Sequence, residues 1–266
     1  RGQVFMNNIH GRRVNMDVLS RKGSGYTATH APDVMRAADP WFVGVSLAYG
    51  PDGGVYVSDF SDTGECHHTR NTRKHTGRIY KIPYGKPKPW RGDIGKLKTE
   101  ELVALQLHDN DWFVRHARRV LHERLVYTHK IWSPSSPDPE ENHAAWRSFR
   151  DGCFAEMDAV LKQQFAEHQS VPKRLRALWA LYAFDGMEAD DLMALFKDRN
   201  EHVRAWAIQL LMNDFRMARG VVASLTEMAE NDKSPLVRLY LASAAQRVPL
   251  NSRAPLLKAL LAHGED

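Results

Sequence analysis

One spacing recurs through the second half of this 266-residue chain and limits what it can become. Asp109, Asp198 and Asp232 each stand five residues before a Val-Arg pair: Val114-Arg115, Val203-Arg204 and Val237-Arg238. Each pair runs into an apolar stretch of helical period. A weaker fourth copy sets Ser170 before Leu175-Arg176. Val203 and Val237 lie 34 residues apart, a length that suits one pair of helices per repeat. Residues 192–197 and 225–230 supply the first helix of each pair. In such a unit the Asp caps the second helix, the Val faces a stacked core, and the Arg reaches the Asp of a neighbouring repeat.

This pattern resembles HEAT repeats, an α-solenoid family, over residues 98–263. The helical period begins near Thr99, where Glu100 and Glu101 favour a helix N-terminus. Pro134, Pro137 and Pro139 forbid a continuous helix across residues 131–143, so a loop is expected there, ending where Asp138 or Pro139 starts the next helix. Trp132 in that loop is expected to fold back onto the helices. Pro87 and Pro89 with Gly85, Gly92 and Gly95 mark residues 85–97 as a linker, stiffened by its prolines. The expected domains are thus 1–84, a linker 85–97, and a helical domain 98–266.

Residues 1–84 read as β. Runs at 2–9, 14–21, 26–30, 42–49, 55–60 and 78–82 are rich in Val, Ile, Tyr and Phe and are separated by Gly, Pro, Asp and Ser. Short strands at this spacing suggest a meander, a barrel or propeller blades. Six strands cannot close a propeller whose blades take four each. The sheet must lean on the helical half, pair with another chain, or be the tail of a longer protein.

Lys and Arg exceed Asp and Glu by five, far from the dense basic stripe of a nucleic-acid footprint. Cys66 and Cys153 alone give no disulfide framework, no Cys-x-x-Cys knuckle and no covalent haem site. No apolar run reaches the roughly twenty residues of a membrane span, and no signal peptide opens the chain. The chain begins with Arg, so either a leader has been removed or the chain is a piece of something longer. The nucleophile elbow, the Walker loop, the dinucleotide fingerprint and the His-Glu-x-x-His helix are missing, which argues against a self-contained hydrolase or kinase.

Chemistry, if present, is expected between Tyr49 and Ile82. Gly50-Pro51-Asp52-Gly53-Gly54 reverses the chain, Pro fixing one turn angle and Gly accepting a positive one. Val55, Val57 and Asp59 then share a face, which sets an acid at the rim of an apolar surface. Asp59 is the candidate catalytic base, with His10 at the tip of an upstream turn facing the same mouth; a turn histidine bonded to backbone is the alternative. Asp59, Asp62, Glu65 and His67 form a candidate set for a borderline divalent metal, with Cys66 and His68 beside them. The alternative is a solvated polar loop with one buried acid. Residues 21–26 could hold an anion on backbone amides but lack the strand-loop-helix setting of a phosphate loop.

Residues 7–19, 21–26, 39–68 and 76–85 carry a further resemblance. They look like the closing part of the β-propeller in PVC-type haem-binding, putative membrane-bound dehydrogenase-like proteins, a propeller related to the quinoprotein glucose and sorbosone dehydrogenases. The fold this implies is α+β and multidomain: a partial β-propeller of one to two blades followed by a HEAT-like α-solenoid. The implied activity is oxidation of a sugar or polyol in a longer protein, with electrons passed to a quinone or haem, a divalent metal or quinone as cofactor, missing blades and a cytochrome c domain as partners, and a periplasmic or secreted location. Phe60-Ser61 stands where the family often has Trp-Tyr, and this chain by itself is expected to be inactive. The competing expectation is a non-catalytic scaffold whose helical repeats bind a protein or a glycan.

Overall fold

Among the described residues six antiparallel strands form where β-branched and aromatic residues alternate between turn-formers. The computed structural model describes residues 2–63, 75–132, 137–213 and 220–264. It divides into two units, Arg1–Gly92 and Asp93–Asp266.

In the first unit β1 (Gln3–Asn8), β2 (Arg13–Lys22) and β3 (Gly25–Arg36) make one antiparallel sheet, and β4 (Gly44–Tyr49), β5 (Val55–Asp59) and β6 (Arg78–Ile82) make a second. Gly23, with φ of 57°, serves the two-residue turn that joins Lys22 to its partner Gly25. Pro32 and Asp33, read from sequence as a turn, lie inside β3. They fall where the pairing skips from Val14↔Met35 to Met16↔Ala31, so the strand absorbs its proline in a bulge.

The expected partial propeller is not formed, and the fold class is corrected: two separate three-stranded sheets stand in place of four-stranded blades. Pairing along the first sheet stops at Ala37, whose amide donates to Arg12 O. Asp39 then turns the chain, accepting from the Trp41 amide at 2.9 Å on its carboxylate and from the Phe42 amide on its carbonyl. The chain thereby starts a new sheet instead of adding a fourth strand to the old one.

The second unit is helical. The described residues form α1 (Thr99–Ala104), α2 (Asp111–Ile131), α3 (Pro139–Glu167), α4 (Val171–Ala183), α5 (Ala189–Ala194), α6 (Glu201–Asn213), α7 (Val221–Asn231), α8 (Pro235–Ala245) and α9 (Leu250–Leu261). None of these helices is long and apolar enough to cross a membrane. One core cluster runs along α4 to α9, with Leu178, Val203, Ile208, Leu225, Val237, Leu241 and Leu256 fully shielded from solvent, and Leu102, Val114, Ala117 and Leu161 are equally buried in α1 to α3. The short helical turn Ile94–Lys96 belongs to this unit, where Arg124 Nη2 binds Gly95 O at 3.2 Å.

The repeated Arg–Asp pairing expected from the spacing is present. Arg174 Nη2 reaches Asp198 at 2.6 Å, and Arg204 grips Asp232 with two bonds of 2.7 and 2.9 Å. Arg204 and Arg238 also bind the carbonyls of Asp198 and Asp232, each at 2.9 Å. The Asp does not cap the helix itself. It accepts the backbone amide of the cap residue two places on: Asn200 from Asp198 at 2.8 Å, Ser234 from Asp232 at 2.9 Å.

That bond fixes the true register of the other copies. His108 Nδ1 accepts the Asn110 amide and His168 Nδ1 the Ser170 amide, both at 2.9 Å, so histidine takes the aspartate's place. Asp109, the expected match, is almost fully exposed and pairs with Lys173 at 3.4 Å. Ser170 is the cap residue of α4, and the pairing arginine of that copy is Arg174, two residues before the Arg176 read from sequence. One long helix, α3, stands outside the pattern. Its fully buried Arg150 donates to Phe184 O at 3.1 Å and to Asp158, and Asp138 caps its start, as the sequence suggested.

Candidate functional site

Asp59 ends β5 with its side chain wholly buried, and its surroundings are those of a structural lock. Oδ1 accepts from the Val43 and Ser61 amides, each at 2.9 Å. Oδ2 accepts from Arg78 Nε at 3.2 Å, while Arg78 Nη2 also pairs with Asp39. Arg78 lies over the Tyr80 ring at 5.2 Å, and its pKa is raised above the ordinary value, first by its bond to Asp39 and less by the one to Asp59. Burial raises the Tyr80 phenol in turn. One carboxylate thus ties the start of β4, the end of β5 and the start of β6 together, and both its oxygens are committed.

The other residues named from sequence are placed as follows. His10 is exposed in the turn between β1 and β2. Asp62 is buried just beyond β5. Glu65 and His67, with Cys66 and His68, lie outside the described residues. Among the described residues no group of three or more His, Cys, Asp or Glu could hold a metal ion. Elsewhere in this unit His30 sits between Asp17 at 3.1 Å and Asp33 at 3.4 Å, and Asp33 also binds Arg36 at 2.7 Å. The bond from Arg36 holds the Asp33 carboxyl below the usual range, with burial opposing and Arg13 assisting. Between the two sheets, Phe5, Val14, Val34, Leu47, Tyr49 and Ile82 line a cleft of about 280 Å³.

The helical unit presents a different constellation. Trp179 on α4, Trp206 on α6 and Tyr240 on α8 form a row of partly buried rings, 4.7 and 6.4 Å between centroids, that crosses three helices. Arg118 on α2 extends the row, its guanidinium 5.4 Å from the Trp179 ring centroid. Among the described residues neither Arg118 Nη1 nor Trp179 Nε1 finds a hydrogen-bond partner, although both atoms are covered from solvent. Burial lowers the Arg118 pKa; Asp111 opposes the shift, and Arg115 and Arg176 reinforce it. Asp111 is itself paired with Arg176 at 2.9 Å.

Sequence reasoning assigned these rings to the core and passed over them. A signal was available: Trp206 and Tyr240 each stand three residues after the repeat valines Val203 and Val237. A large aromatic at the same place in successive repeats makes a continuous surface row. Trp132 does fold back, as expected, 5.6 Å from Trp146. A second groove, about 720 Å³, lies between α5 and α7 with Met193, Phe196 and Met228 on its walls and the Arg204–Asp232 pair at its base.

No protein-family model, no curated protein and no solved structure matches this chain.

Proposed function

We propose that the chain is a non-catalytic binding scaffold whose helical unit receives a polypeptide across α4, α6 and α8. One observation carries this reading: the row Trp179, Trp206, Tyr240, which leaves aromatic surface partly open along three alternate helices. Large rings of low conformational entropy are the side chains that most often anchor protein interfaces. The competing reading, an oxidoreductase of the quinoprotein-dehydrogenase-like family acting on a sugar or polyol, rests on the resemblance of the first 84 residues. Its expected base, Asp59, is fully engaged by Val43, Ser61 and Arg78, which favours the scaffold.

The test is a fluorescence titration with a panel of capped ten-residue peptides of acidic, basic, polar and apolar composition. Saturable binding by at least one class, weakened about tenfold or more in Trp206→Leu and Tyr240→Leu, is the expected result. Leucine keeps the inner packing of these positions while removing the ring edge. Binding that ignores both substitutions contradicts the proposal. So does sugar oxidation that disappears in Asp59→Asn while the fold persists.

A further inference from the structure

At one end of the aromatic row the helical unit gathers positive charge around Arg118. Arg115 and Arg176 both act on Arg118, and Asp111, the carboxylate that opposes them, is itself paired with Arg176. Arg176 is further committed to His108 O at 2.9 Å. Arg118 is left on the Trp179 ring with Nη1 unpartnered, beside the unpartnered Trp179 Nε1. Buried donors of this kind are nearly always satisfied in native proteins, and a desolvated guanidinium gains more from a carboxylate than an exposed one does. Two covered donors at the end of an apolar row define the ligand that would complete them: an acceptor, negatively charged, attached to something apolar.

We propose that Arg118, stacked on Trp179, is the subsite for an acidic side chain of a bound peptide, with Trp206 and Tyr240 receiving the neighbouring apolar residues. This deepens the scaffold reading and rests on it. Arg118 is partly exposed and sits on a flexible stem, so its guanidinium can turn off the ring to meet a carboxylate, which also uncovers the indole N–H. The peptide class this selects alternates Glu or Asp with Leu-like residues. Lys and Arg in such a peptide would meet Arg115 and Arg176 and be rejected.

The probe is a capped ten-residue peptide of alternating Glu and Leu, compared by calorimetric titration with a counterpart in which every Glu is Gln. The Glu peptide is expected to bind about tenfold tighter or more. In Arg118→Gln that preference should collapse to about twofold or less, whereas Arg119→Gln, a change at an exposed neighbour, should keep it. Arg118→Lys, which keeps the charge but not the planar fork, should retain only part. Far-UV circular dichroism confirms that each variant is folded. Equal binding of the two peptides, or equal loss in Arg118→Gln and Arg119→Gln, overturns the subsite. If both peptides bind and Trp206→Leu weakens both, the scaffold reading survives that result; if neither binds, the subsite falls, and the scaffold reading is decided by the four-class peptide panel. Tighter binding of polygalacturonate than of the Glu peptide, lost in Arg118→Gln, also overturns the assignment to a peptide.

Discussion

The Arg204–Asp232 pair offers the sharpest test of how successive helix pairs are held in register. Arg204 reaches the carboxylate with two bonds of 2.7 and 2.9 Å, and the two side chains retain only 17% and 7% of their exposure. Asp232 also accepts the Ser234 amide at the start of α8, so one carboxylate serves two repeats. Asp232→Ala removes two charged hydrogen bonds and the turn bond, and it strands a largely buried guanidinium, whose pKa the bond to Asp232 raises. Losses of this kind cost about 3 kcal/mol. A double-mutant cycle with Arg204→Ala should return a coupling of about 2 kcal/mol. The control is Arg119–Glu123, 3.7 Å apart and 63% and 59% exposed, for which coupling should stay below about 0.5 kcal/mol. Urea unfolding followed by far-UV circular dichroism reads the helical unit, and urea leaves ion pairs unscreened. A coupling for Arg204–Asp232 no larger than that of the control would refute the view that this pair locks the repeats.

Gly186→Ala should cost about 1–3 kcal/mol in the same assay, because the new methyl would lie 2.9 Å from Arg150 Nη2 and 3.1 Å from Asp158 Oδ1, atoms of a pair with no room to retreat. Asp59→Ala strips the Val43 and Ser61 amides of their acceptor and should destabilise the second sheet by about 3 kcal/mol, seen as faster amide exchange in β4 to β6 with the first sheet little changed. The first unit should also loosen in acid. Asp52, held down first by its bond from Lys81 and then by the Gly54 amide, and Asp33, held down first by Arg36, both have folded pKa values below their unfolded ones. Such carboxylates add stability that is fully present above the unfolded pKa and is lost as pH falls through the folded one. Amide exchange in β2 to β6 should therefore accelerate as pH drops below about 4, once corrected for the intrinsic rate, and Asp33→Asn with Asp52→Asn should flatten that dependence.

Much of the β half was readable because alternation and turn chemistry are local. Each expected run carries a strand, although β3 continues through the expected Pro32-Asp33 turn to Arg36, and the Gly50 to Gly54 reversal forms with Gly53 at φ of 77°. The way strands divide between sheets depends on the Asp39 turn, whose effect on pairing is not a matter of composition. In the helical half the Asp–Arg spacing located two true copies and one link between repeats, Arg204–Asp232, but His108 and His168 hid the other copies. Imidazole Nδ1 accepts the same backbone amide as a carboxylate, so a change of residue type preserves the bond and erases the motif. Asp59 was misread for a related reason. An acid at the end of an apolar strand looks like a rim residue until its oxygens find local amides and Arg78. Arg118 was invisible because its interest lies in what its Nη1 lacks among the described residues, a hydrogen-bond acceptor, which only the packing reveals.

Hydrogen–deuterium exchange with the alternating Glu-Leu peptide bound tests the central claim most directly. The binding face proposed for the helical unit predicts slowed exchange in the exposed turns of α2, α4 and α6 around Arg118, Trp179 and Trp206, with β1 to β6 unchanged, and loss of that footprint in Arg118→Gln. Protection confined to β4 to β6, or a saturating peptide that leaves the helical unit unprotected, would contradict it.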